Sequence, residues 1–294
     1  MQKRALKAVN EPFAIEASVV ETMKRHTRAF AKALGVVGLI NVQYAVKGGV
    51  VYVLEVNPRG SRTVPFVSKA TGVSLARLAA AVMVGRSLDE LGMTDDPRMP
   101  FVAVKEAVFP FTKLPNVDTL LGPEMKSTGE VMGIDETFGM AYAKAQIGAD
   151  GALPLEGSVF VTVNDHDKPV VFPIVQRFHE MGFRILATSG TAQYLGSRGV
   201  PVESVLKVWE GRPNASDLIV SGAVHLLINT PLGKLTARDD YYIRRTALQH
   251  RVPYTTTMSA AQAACDAIHA LRRGVRTVRC LQEWYAGAAA PGHT

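Results

Sequence analysis

The sequence predicts an α/β protein built in two blocks, and three observations carry that reading. In the first block, two β-rich runs flank Lys47-Gly48-Gly49, the punctuation of an antiparallel hairpin. From Ser158 onward, short apolar runs alternate with segments of helical period, the rhythm of a doubly wound parallel sheet. Between them, residues 147–157 are rich in Gly and Pro and carry no apolar period, as a linker would. A length of 294 residues accommodates two cores. The expected division is therefore a first domain with connecting helices over 1–146, a linker over 147–157, a second domain over 158–285 and a disordered tail over 286–294.

The elements follow in order. Val19–Leu34 reads as an amphipathic helix with Met23, Thr27, Phe30 and Leu34 on one side, and Gly35 closes it. The hairpin strands span Val37–Val46 and Val50–Asn57. Ser74–Gly85 and Thr137–Gln146 read as helices, with a strand at Val102–Pro110 between them. In the second block, strands are expected at Ser158–Val163, Phe183–Ala187, Val202–Lys207, His225–Asn229 and Pro253-Tyr254. Helices are expected at Val170–Met181, Thr191–Arg198, Ser216–Ser221, Arg238–His250 and Ala260–Arg273. The apolar positions Ala261, Ala264, Cys265, Ile268 and Leu271 turn the last helix toward the core.

Composition excludes several classes. With 47% apolar and 20% charged residues, most of the chain is not disordered. No apolar run of about 18 residues is free of charge, so no membrane partner is expected. The N-terminus is basic but lacks an apolar segment behind it, so no secretory signal is visible. Cys265 and Cys280 lack metal or redox spacing and suit a reducing cytoplasm, the expected location. The histidines are scattered without metal spacing. A net charge of +7 suits an anionic ligand, and equally a solvated basic surface. Without a basic run interleaved with aromatics, no nucleic-acid partner is expected.

Chemistry concentrates first in the hairpin. Alternation places Asn41 and Gln43 on one strand face, and Glu55 and Asn57 on the same side of the next strand. A three-residue loop would set Gln43 opposite Val53 and diagonal to Glu55, about 7–8 Å away. Amide and carboxylate oxygens suit a hard cation such as Mg²⁺. Arg59 and Arg62 follow at the strand end, where guanidinium groups suit bidentate phosphate contact. From these residues alone, a solvated polar strand face and a basic turn would read the same.

The pattern Gln-x₁₁-Glu-x-Asn-Pro-Arg, running from Gln43 to Arg59, resembles the metal-binding signature of the ATP-grasp superfamily. The longer runs Glu55–Gly72 and Leu120–Gly133 resemble the carbamoyl-phosphate synthetase large-subunit family, in its C-terminal portion. The likeness extends from about residue 14 to residue 283, and Met1 to Glu11 fall outside it. It implies part of an ATP-grasp subdomain followed by a methylglyoxal-synthase-like domain. It further implies that Gln43, Glu55 and Asn57 hold Mg²⁺ or Mn²⁺ bridging the phosphates of ATP as substrate. Arg59 and Arg62 would stabilise the phosphoryl group passing to carbamate, which makes carbamoyl phosphate, the work of a ligase. Too little chain precedes the hairpin to complete a nucleotide clamp. The implied partners are therefore the upstream part of the large subunit and the glutaminase small subunit, and the isolated chain is not expected to turn over alone. The alternative is a stand-alone nucleotide-binding regulatory module, or a remnant without turnover.

In the second block, Thr188-Ser189-Gly190-Thr191 ends a strand and opens a helix. Such a turn offers N–H groups and hydroxyls to a phosphate, though an ordinary capped helix uses the same residues. Lys168, Lys207, Asn229 and Thr230 also stand at strand ends. The resemblance implies a pocket for UMP or IMP made by Thr162, Lys168, Thr188, Thr191, Lys207, Asn229 and Thr230. Pro231 departs from the pattern by replacing a second Thr, which removes at least one contact. The resemblance also implies remnants of an ornithine site at Glu106, Tyr254 and Thr256, with Thr255 replacing an expected Asp. Methylglyoxal synthase is the rival enzyme on this scaffold. It needs a carboxylate in a Gly-rich turn, whereas residues 210–214 read Glu-Gly-Arg-Pro-Asn and Asp217 falls within the next helix, so the general base is missing.

Overall fold

The computed structural model describes residues 15–93, 97, 99–111, 120, 125–230, 237–274 and 276–286. Met1 to Glu11, Pro231 and the tail from residue 287 lie outside the described residues. By contacts the chain divides into two units, one built mainly on Thr137–Arg276 with Glu106–Gly133, the other on Leu6–Lys105, Ile134–Glu136 and Thr277–Thr294.

The first of these, the sheet unit, follows the predicted rhythm. Its strands are β5 (Ser158–Thr162), β6 (Arg184–Thr188), β7 (Glu203–Val205), β8 (Leu226–Asn229) and β9 (Tyr254–Thr255). They lie parallel in the order β7-β6-β5-β8-β9. Alternation along each strand feeds two cores. Val159, Val161, Ile185 and Ile228 pack with α5 (Lys168–Glu180), α6 (Ser189–Gly196) and α9 (Met258–Arg273). Phe160, Leu186 and Leu227 pack with α7 (Ala215–Val220) and α8 (Ala237–Gln249). Both sheet faces are therefore covered, as parallel strands require. Every element read in this block is present, its ends moved by a residue or two. Because β6 and β8 flank β5 on opposite sides, the topological switch point lies between β5 and β8, beyond their C-terminal ends.

Helix α4 (Phe138–Gly148) belongs to the same unit, although the linker reading would leave it with the first block. The reason is close packing on α9. A Cβ at Gly139 would come within 2.7 Å of the Asp266 carbonyl oxygen, so the glycine permits a separation that a larger residue would not.

The second unit carries α1 (Ala17–Ala33), the hairpin of β1 (Asn41–Lys47) and β2 (Val50–Asn57), α2 (Thr63–Thr71), α3 (Leu75–Met83) and α10 (Leu281–Ala286). Strand β1 starts at Asn41 rather than Val37, since Gly38 at φ +104 takes the chain out of extended pairing. Helix α2 was not legible as an element. Pro65 sits in its first turn and Gly72 closes it at φ +73. Strands β3 (Val102–Val108) and β4 (Gly129–Asp135) pair in a second two-stranded sheet, of which only β3 was expected. Helix α10 was also unanticipated. Its Trp284 packs with Phe101 and Ile134, so the chain beyond residue 276 groups with the hairpin unit rather than with the sheet.

Among the described residues, no single helix is long and apolar enough to cross a membrane.

Candidate functional site

The hairpin turn sets the first site. Lys47 pairs with Val50, leaving a two-residue loop of Gly48 and Gly49 at φ +56 and +77. Both values are positive, the requirement of a type I′ turn that only glycine meets without strain. The register then shifts between Gln43 and Tyr44, where β2 holds Leu54 as an extra residue. These two features correct the expected register. Gln43 stands directly opposite Glu55, not opposite Val53, and Asn41 stands opposite Asn57.

Cross-strand partners share a face, so two amide–acid or amide–amide pairs line one side of the hairpin. The bulge also moves Tyr52 to that side, opposite Ala45, and sends Val51 and Val53 to the other. On that other face Tyr44 reaches α1, its hydroxyl 2.7 Å from Thr27 Oγ1 and donating to the Met23 carbonyl at 3.1 Å. The polar face thus points away from α1. Gln43 and Glu55 are exposed, and Asn41 and Asn57 are half-buried.

Arg59 turns back on the strand it follows. Its Nη2 donates to Asn57 Oδ1 at 3.5 Å, and its backbone N–H donates to the Asn57 carbonyl at 2.8 Å. Arg62 is the N-cap residue of α2, and the Arg59 Nη1 also donates to the Gly60 carbonyl at 3.0 Å. Glu55, Gln43, Asn57 and Asn41 supply oxygen donors on one open face, a set whose chemistry fits a hard divalent cation. Asn41 was placed on this face from the sequence but not counted with the site. The direct pairing with Asn57 brings it in.

The second site gathers at the C-terminal edge of the parallel sheet. Thr162, Thr188, Thr191, Asn229 and Thr230 are all buried there. Thr188 Oγ1 donates to Thr162 Oγ1 at 3.4 Å, and Thr230 N–H donates to the Thr162 carbonyl at 3.1 Å. Asn164, which the sequence did not single out, ties this edge together. Its Nδ2 donates to Thr230 Oγ1 at 3.2 Å and to Asp167 Oδ2 at 2.6 Å, while Oδ1 accepts from Asp167 N–H at 2.9 Å.

Lys168 leads α5 with its side chain only 15% exposed, and Nζ lies 2.6 Å from Asp165 Oδ1. The hydrogen bond from that ammonium holds the Asp165 carboxyl below its ordinary range. Nζ also lies 3.5 Å from where a Cβ on Gly190 would stand, which puts the cation beside the first turn of α6. Lys207 is half-buried just past β7, its N–H bound by Glu210 Oε2 at 2.8 Å. Asn229 differs from the rest. Its Nδ2 donates to Asp240 at 2.8 Å and its Oδ1 accepts from Arg244 at 2.9 Å, so the carboxamide is engaged at both ends by α8.

Glu106 sits in β3, where burial pushes its carboxyl up to about 7 against an opposing hydrogen bond from Gln146. Burial and the neighbouring Glu106 together raise the Tyr142 hydroxyl. Tyr254 lies on edge strand β9 and Thr256 just past it, with Thr255 Oγ1 buried between them without a hydrogen-bond partner. Past the loop where methylglyoxal synthase chemistry would need a base, Asp217 lies inside α7 and is locked in its capping box with Asn214. Its carboxylate accepts from Asn214 N–H at 3.0 Å and pairs with Arg212 at 2.5 Å.

Residues 7–91 match the family model described as the carbamoyl-phosphate synthase L chain, ATP binding domain, and residues 171–256 match that of the MGS-like domain. The carbamoyl phosphate synthase large chain of Gemmatimonas aurantiaca is 58% identical over 96% of this chain and 26% of its own length. That of Myxococcus xanthus is 50% identical over 96% and 26%, and that of Archaeoglobus fulgidus 52% identical over 93% and 26%. A crystal structure of methylglyoxal synthase from Elizabethkingia anophelis NUHP1 covers 37% of this chain and 76% of that one at 19% identity. Its TM-score of 0.31 is too low to bear on the fold. The chain spans about a quarter of the length of the large chains it matches. Over nearly all of its own length, this protein is a relative of the carbamoyl phosphate synthase large chain, matching the part that carries an ATP-binding-domain segment and the MGS-like domain.

Proposed function

We propose that the hairpin unit supplies the metal- and phosphate-holding side of a carbamate-phosphorylating site, and that the sheet unit binds a nucleotide effector. The observation that supports the first half is the direct pairing of Gln43 with Glu55, with Asn57 on the same face and Arg59 hydrogen-bonded to it. Glu55, Gln43 and Asn57 would hold Mg²⁺ or Mn²⁺. Such an ion, when bound, neutralises phosphate charge and draws the phosphates of ATP into line. Arg59 and Arg62 would place two further positive charges on the transferring phosphoryl group from the end of the same strand. Partners in this reading are the remainder of the large chain, which closes over the nucleotide from the other side, and a glutaminase subunit that delivers ammonia.

The test is to mix this chain with a polypeptide supplying the preceding part of a large chain, and to assay carbamoyl phosphate formation from ATP, bicarbonate and ammonia. Activity that neither polypeptide has alone is expected. A stable complex without activity at any mixing ratio would overturn the reading.

The sheet unit carries its own argument. Its buried threonines and Lys168 converge at one sheet edge, which suits the phosphate of a UMP- or IMP-like effector. Millimolar UMP or IMP is expected to raise the melting temperature of the chain, and Lys168→Ala to abolish the rise. An unchanged melt with both nucleotides would remove this part.

A further inference from the structure

Trp209 and Trp284 are the only tryptophans in the chain, and they stand in opposite situations. Trp284 is 7% exposed and Trp209 is 61% exposed. The loop that carries Trp209 is nonetheless tightly bound. Glu210 N–H donates to the Lys207 carbonyl at 3.1 Å, closing a turn with Trp209 inside it. Asn214, itself buried, donates from Nδ2 to the Val208 carbonyl at 3.3 Å and to the Gly211 carbonyl at 3.0 Å. The indole rests edge-on against Tyr242 of α8 at 5.7 Å between ring centres, and Tyr242 meets Tyr241 in the same way at 5.6 Å. Arg245 anchors the Tyr241 hydroxyl at 3.1 Å.

A large apolar ring held in place with most of its surface bare gives up burial that a slack loop would recover. What it gains is preorganisation toward something that lies on it. Its position limits what that something is. Lys207, two residues past the C-terminal end of β7, precedes it by two residues, and two residues of chain span at most about 7 Å. That separation suits the distance between phosphate and base in a nucleoside monophosphate.

We propose that Trp209, backed by Tyr242, is the stacking platform for the base of the effector nucleotide. This rests on the reading that Lys168, Lys207 and the threonine edge take its phosphate. Stacking tolerates any base and grows with ring overlap, so the larger bicyclic purine is favoured over a pyrimidine.

The full chain is titrated with inosine 5′-monophosphate, uridine 5′-monophosphate and ribose 5-phosphate, read by tryptophan emission and by thermal shift. Both nucleotides are expected to quench emission, the purine binding tighter than the pyrimidine and about tenfold tighter than ribose 5-phosphate. Trp209→Ala is expected to bring nucleotide affinity down to that of ribose 5-phosphate, which itself stays unchanged. Trp209→Phe keeps nucleotide affinity within about threefold of wild type, since a phenyl ring still stacks. If all three probes bind alike in wild type and in Trp209→Ala, the platform is wrong while the phosphate reading stands. If none of the probes binds, the phosphate reading fails and the platform falls with it. If Trp209→Ala spares nucleotide affinity but abolishes self-association in sedimentation, the indole belongs to a protein interface and the proposal is overturned.

Discussion

Glu55 faces Gln43 directly across the hairpin, at the point where β2 carries one residue more than β1. The pairing joins a carboxylate and an amide on one open face without burying either, so little of the fold depends on the charge. Glu55→Gln is therefore expected to leave stability within about 0.5 kcal/mol of wild type. The same change removes the one anionic oxygen pair opposite Gln43. In the mixed-polypeptide assay it is expected to cut carbamoyl phosphate formation by about 100-fold or more. An unaltered rate would show that this face does not hold the metal.

Two glycines of α4 separate close packing from ordinary helix propensity. A Cβ at Gly139 would meet the Asp266 carbonyl at 2.7 Å, backbone against side chain with no flexible end to yield. Gly139→Ala is expected to destabilise the sheet unit by about 1–3 kcal/mol. At Gly148 the nearest neighbour is a Val131 methyl at 3.4 Å, ordinary contact. Gly148→Ala is therefore expected to be neutral, or stabilising by up to about 1 kcal/mol, because alanine favours the helix. Urea unfolding of the two variants checks the contrast.

The sheet unit was legible because its strands are continuous apolar runs separated by strong helical periods, and both signals are local. The hairpin was legible as a pair of strands but not in register. Register depends on the positive φ of both Gly48 and Gly49 and on the extra Leu54, and neither leaves a mark on alternation that a three-residue loop would not also leave. The face carrying Gln43, Glu55 and Asn57 could still be read, since a shift of two residues preserves side. Helix α2 hid behind β-branched residues and Pro65, and α10 behind an Ala- and Gly-rich tail. Asn164, Asp240 and Arg244 were missed for another reason. Thr230 is distant in sequence from Asn164, and Asp240 and Arg244 meet Asn229 only because α8 folds back on the end of β8, which no local spacing announces.

Glu106 gives the sheet unit a pH dependence with a definite sign. Its carboxyl titrates near 7 in the fold against an ordinary 4.5, chiefly because burial disfavours the charge. Between those values the unfolded chain has released its proton while the fold retains it. The favourable contribution is thus complete below 4.5 and is lost as pH rises through 7. Each pH unit inside that window is worth about 1.4 kcal/mol at most. Relative to Glu106→Gln, wild type is expected to lose about 2–3 kcal/mol of stability between pH 5 and pH 8. A difference that does not change with pH would mean that the carboxylate is solvated.

The last helix acts on the unit opposite to the one that precedes it in the chain. Trp284 of α10 is 7% exposed, edge-on to Phe101 at 5.5 Å, with Ile134 completing the cluster and the Arg279 guanidinium 5.0 Å from the indole centre. Arg279 also pairs with Glu136 at 3.6 Å, an exposed contact of little weight. The indole is therefore the anchor. Trp284→Ala is expected to destabilise the hairpin unit by about 3–5 kcal/mol through the cavity it leaves. Among the described residues, the sheet unit's two cores draw none from beyond α9, so its transition should stay in place. Hydrogen exchange resolves the two, with faster exchange expected in α2, α3 and β1–β2 and unchanged protection in β5, β6 and β8. Equal loss of protection in both would show that the two units unfold as one.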